Sequence, residues 1–191
     1  MKPYAPCDHR PPAQYETLDD LYAQAAHYAE FSLREKGNMW PALFILSLDE
    51  DPAFFAWTHN FDGEADKNKF RDLCRIFCMA HGATHSVLAL ETWTVALAFQ
   101  PGEPAEYDGP LPSESPDRVE VITMLGEHQG YETQMRLLPI IRSDNQKFFG
   151  LGEINALPGY MAAGRFTPLL VPGIVSAGLR KLAAASLAME N

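Results

Sequence analysis

From Thr84 to Phe99 the chain reads THSVLALETWTVALAF, and Glu91 is the one formal charge in it. β-branched and aromatic residues at that density favour a buried strand. Whatever else the chain forms must therefore cover this segment. Two shorter apolar runs precede it, PALFILSL (41–48) and AFFAWTHN (53–60). The turn signal DEDP between them predicts a hairpin. After it, VEVITMLGE (119–127) and YETQMRLLPIIR (131–142) flank HQG and predict a second hairpin.

Helical signals fill the remaining space. In TLDDLYAQAAHYAEFSLREKG (17–37), Thr17 suits an N-cap and Gly37 a stop. Asp19 and Asp20 suit the positive end of the dipole. Leu18, Leu21, Ala25 and Tyr28 recur at helical spacing and predict the core face. A second helix is expected from Glu64 to His81, with Asp62 as cap and Gly82 as stop. A third is expected in GIVSAGLRKLAAASLAMEN (173–191), with Val175, Leu179, Leu182, Ala183 and Leu187 on one face. Residues 143–172, with scattered Gly150, Gly152, Gly159, Gly164, Pro158 and Pro168, read as irregular.

The order is α-β-β-α-β-β-β-α. It predicts an α+β domain over residues 17–191, with a mostly antiparallel sheet of about five strands. Roadblock-like and profilin-like folds share that order, a likeness of architecture that carries no function. Residues 1–16, with Pro3, Pro6, Pro11 and Pro12, read as an arm.

Charge narrows the function classes. The 191 residues carry a formal charge of −10, which argues against nucleic acid and anionic membrane as partners. Glu103, Glu106, Asp108, Glu114 and Asp117 lie in a proline-rich connection (99–117) that has no lysine or arginine. The start MKPYAPCDHRPP lacks a hydrophobic signal core, and Cys7, Cys74 and Cys78 make no disulfide framework. FTPLLVPGIVSAGL (166–179) is too short to span a bilayer. A reduced, soluble, cytoplasmic protein is the expectation.

Two constellations carry candidate chemistry. In CRIFCMAHGATH, Cys74, Cys78 and His81 fall near one helix face, and His85 or Glu91 could complete a zinc tetrahedron. A CxxxC pair within one helix matches standard zinc motifs poorly. Leu73, Ile76, Phe77 and Ala80 surround the cysteines with core-like neighbours, so buried thiols are expected, with neither metal nor cofactor. The other constellation centres on Glu91, on the strand face of Val87, Ala89, Trp93 and Val95. A carboxylate there needs a partner or a raised pKa. Arg118 is expected to supply the partner from the neighbouring strand, with Arg136 as the alternative. Ser115-Pro116-Asp117-Arg118 reads as a turn that launches that strand, where Glu114, Asp117 and Glu120 can reach Arg118. Glu91, Arg118 and Glu120 are thus the candidate site residues. His59 and Asn60 could join a site at the sheet's end.

Glu91-Thr92-Trp93, followed by PSESPDRVE (112–120), resembles a set of uncharacterised bacterial and phage-associated proteins with a similar E-x-W and P-S-E-x-P-D-R-x-E pattern. The likeness runs from Ala83 to Arg142 and implies no activity. It links Glu91, Glu114, Arg118 and Glu120 as a set.

No nucleophile elbow, phosphate loop or dinucleotide fingerprint is present. The function expected is therefore a non-enzymatic interaction or assembly protein whose partner is itself or another protein. A small hydrolase or metal-dependent enzyme using Glu91 with His81 and His85 is one alternative. A small-molecule binder with a pocket near Trp93 is the other.

Overall fold

A computed structural model describes residues 6–48, 50–59, 61–95, 114–153, 155–161, 166, 168–171, 173 and 175–190. Most of the acidic connection, and Asn60, lie outside the described residues.

Helix α1 (Leu18–Lys36) opens on a reciprocal cap between Thr17 and Asp20 and closes on Gly37 in the left-handed conformation. Helix α2 (Glu64–His81) closes in the same way on Gly82. Its start differs from expectation, because Gly63 is the N-cap and makes no side-chain cap bond. Asp62 instead donates its backbone N–H to the Asp66 carboxylate at 2.8 Å. A first-turn acid thus reaches back to satisfy a donor ahead of the helix.

Strands β1 (Ala42–Ser47) and β2 (Ala53–Ala56) form the first hairpin. Strand β3 (Ala83–Val95) pairs antiparallel with β1 on one side and on the other with β4 (Arg118–His128). The second hairpin joins β4 to β5 (Gln134–Arg142). The sheet is α+β and antiparallel as expected, but it holds more strands than the sequence suggests. The stretch read as irregular contributes β6 (Phe148–Leu151) and β7 (Asn155–Met161), both paired with β5. The described sheet therefore runs β2-β1-β3-β4-β5-β6, with β7 also against β5.

The glycines that hid β6 have a packing reason. A Cβ on Gly150 would stand 2.7 Å from the Pro6 side chain. The arm crosses there, and Cys7 donates its N–H to the Leu151 carbonyl at 2.8 Å. His9 is tied to the Gly152 carbonyl, to Glu30 and to His27. The described part of the arm is thus anchored between α1 and β6.

Both sheet faces are covered, which explains why β1 is buried at five successive positions instead of alternating. Leu21, Tyr22, Ala25, Ala29 and Leu33 of α1 pack on Phe44, Val87, Ala89, Ile122, Met124 and Leu138. Phe70, Cys74 and Cys78 of α2 pack on Leu43, Ile45, Leu88 and Leu90 from the opposite side. Leu169 and Leu170 join that second core. The buried Glu127 carboxylate receives the backbone N–H of both, at 2.8–2.9 Å, and Arg75 binds the Pro168 carbonyl at 2.9 Å. A segment with little regular structure is held this way beside Phe166.

Helix α3 (Ala177–Glu190) packs against α2. Of the face expected to be buried, only Ala183 is, while Leu182 is 65% exposed. The side turned toward α2 holds Ala183 with part-buried Arg180 and Leu187, while Ala184, Ala185 and Ala188 are exposed. Arg180 of α3 lies directly over Gly82.

Candidate functional site

The first hairpin is shorter than β3. β1 pairs with β3 only as far as Ala42–Ala89, and the chain before it, Asn38 to Pro41, turns away beside Leu90 to Trp93. Among the described residues no strand pairs this side of β3 beyond Ala89. A pocket of about 440 Å³ opens along that edge. Its walls include Trp40, Phe61, Trp93 and Phe166, with Glu91 and Glu120 as its acidic groups. His59 and Lys67 also line it. Lys67 is engaged by Glu64 at 3.0 Å.

Register places the acids. Ile122 lies opposite Glu91 and Glu120 opposite Trp93, so all four side chains share the α1 face of the sheet. The Glu91 carboxylate accepts the Met39 backbone N–H at 3.0 Å and lies in hydrogen-bonding contact with Glu120. Burial raises the Glu91 pKa first, and the neighbouring Glu120 adds to the shift. The Met39 hydrogen bond and the Arg142 charge work against it.

The arginine that serves this pair is Arg142. Its Nε donates to Glu120 Oε2 and its Nη2 to Glu120 Oε1, each at 2.5 Å, with both side chains largely buried. That forked geometry also raises the arginine's own pKa.

The expected Glu91–Arg118 pair does not form. Register sets Arg118 opposite Val95, four residues along β3 from Glu91, and its guanidinium lies over the Trp93 ring, 4.7 Å from the centroid. Arg136, the alternative partner, binds Asp19 at 2.6 Å and covers the Tyr22 ring at 3.8 Å. The turn before β4 forms as read, with Ser115 Oγ accepting the Asp117 N–H and the Ser115 carbonyl accepting that of Arg118. Of the candidate set, Glu91 and Glu120 meet, and Arg118 lies over Trp93 beside them. Arg142 is the residue that sequence reasoning missed. Its one signal was a charge at the end of an apolar run.

The cysteine–histidine constellation disperses. Cys74 and Cys78 point into the α2 core, where burial pushes both thiols far above their ordinary pKa. His81 binds Glu50 at 2.7 Å near the end of α2. His85 lies on the other face of the sheet, stacked on His128 with centroids 4.1 Å apart. Among the described residues no group of three or more His, Cys, Asp or Glu is placed to hold a metal ion. Nor does Glu91 meet these histidines, since His85 is six residues away along β3, about 20 Å.

No helix among the described residues is long and apolar enough to cross a membrane. Comparison with protein-family models, with curated proteins and with solved structures finds no match to this chain.

Proposed function

We propose that this chain is a non-catalytic binding protein that takes a small molecule in the pocket along the edge of β3. One observation carries the reading: a cavity of about 440 Å³ at the sheet edge has aromatic walls and a half-buried carboxyl, Glu91, in its lining. Ligand sites combine apolar walls with a few placed polar groups, and this volume lies in their usual range. The geometry favours binding over hydrolysis. Carboxyl pairs that cleave glycosidic bonds stand at least about 5 Å apart, with the scissile bond between them. Glu91 and Glu120 are instead in mutual contact, and Arg142 occupies both oxygens of Glu120.

The three tryptophans offer a direct test, since Trp40 and Trp93 line the pocket and Trp57 does not. A fragment library titrated into ¹⁵N-labelled protein should yield hits that move the Trp40 and Trp93 indole signals most and Trp57, which stacks on Phe61, less. A library with no such hit rejects the reading.

A second reading, self-association, rests on α3. Leu179, Leu182 and Met189 are exposed at 41%, 65% and 86% on a helix whose buried side holds Ala183. An apolar face of this kind favours a partner. Light scattering should give a mass above the monomer that falls in Leu182→Glu. A monomeric parent chain rejects it.

A further inference from the structure

The pocket's chemistry narrows the class of ligand, an inference that rests on the pocket being a ligand site. Its acidic groups are unequally served. Glu120 is neutralised by Arg142, whereas among the described residues no cation forms an ion pair with Glu91. A neutral ligand would leave Glu91 with only the Met39 N–H and the charge of Arg142, itself bound to Glu120, to offset its burial, and an anion would be repelled by it. The walls point the same way. Aromatic faces attract cations through their quadrupole, and the Trp93 ring already carries one from its own chain, the Arg118 guanidinium. Lys67 is the lining residue that would oppose a cation, and its ammonium is held by Glu64.

We infer that the pocket binds a small molecule bearing an ammonium group, seated against the aromatic walls with Glu91 as its counter-ion. Glu120, already bridged to Arg142, positions Glu91 and need not contact the ligand.

Two probes that differ only in charge test this: choline and its neutral isostere 3,3-dimethyl-1-butanol. Each is titrated into the ¹⁵N-labelled full chain while the tryptophan indole signals are followed. Choline should shift Trp40 and Trp93 saturably, with the isostere at least about tenfold weaker. Glu91→Gln should weaken choline about tenfold and remove most of its advantage over the isostere. If the isostere binds as well as choline, the cation inference falls and the pocket reading stands. If neither probe binds, the inference also falls, and only failure of the fragment library would take the pocket reading with it. The comparison of probes on the parent chain decides the matter even if Glu91→Gln fails to fold.

Discussion

Arg142 holds both carboxylate oxygens of Glu120 from the adjacent strand, and that grip lets a second acid, Glu91, sit in contact with the first. Removing the arginine leaves two acids facing each other in a largely buried place. Arg142→Met should cost about 3 kcal/mol, because it strands a charge. Replacing both partners, Arg142→Met with Glu120→Leu, should recover most of the loss. Urea denaturation of the three chains checks this. Arg118→Ala should cost under about 1 kcal/mol, since that side chain is exposed and its interactions are screened by solvent.

Glu91 couples stability to pH in a defined direction. Its folded pKa lies above the ordinary glutamate value of 4.5, so the folded state binds the proton more tightly than the unfolded chain. Its contribution is fully present below 4.5 and is lost as pH rises through the raised folded pKa. Glu91→Gln removes this dependence and should stabilise the protein at pH 7 relative to pH 4, each measured against the parent chain. Glu127 shifts in the same direction, so the parent retains part of the slope and the difference isolates Glu91. Thermal melts across that range would refute the assignment if the difference were flat or reversed.

Tyr22 depends on a residue with no side chain. Its hydroxyl donates to the Gln134 carbonyl at 3.1 Å, and burial pushes its pKa up to about 12. A Cβ on Gly126 would fall 2.1 Å from that hydroxyl. Gly126→Ala should cost about 1–3 kcal/mol through overpacking, and Gly126→Ala combined with Tyr22→Phe should cost less than the sum of the two. Additive losses would show that the two residues do not collide.

Thiol reactivity separates the three cysteines. Cys7 is partly exposed, whereas Cys74 and Cys78 are buried with strongly raised pKa values. A thiol reagent should therefore modify one cysteine rapidly in the native protein and the other two only on unfolding. Zinc analysis of protein purified without chelator should find less than one equivalent. One zinc per chain, lost in Cys78→Ala, would contradict the buried-thiol assignment.

The order of elements was legible in the sequence because it rests on local physics. Hydrophobic period and capping chemistry act within a few residues, so Thr17 with Asp20, the stops at Gly37 and Gly82, and both hairpins follow from short windows. Glu91 stood out for the same reason, as a charge inside an apolar strand. Tertiary structure alone decided which residues meet. Arg142 reaches Glu120 across 22 positions of chain, and the choice between it and Arg118 is fixed by strand register, which no local pattern encodes. Strands β6 and β7 escape a sequence reading because their pairing is supplied by the backbone of β5, whatever their glycine and proline content. The inward face of α3 is set by its packing on α2, which buries Ala183 and leaves Leu179 and Leu182 outside. The pocket exists because the first hairpin stops short of the end of β3, a difference in length that appears only once the strands lie side by side.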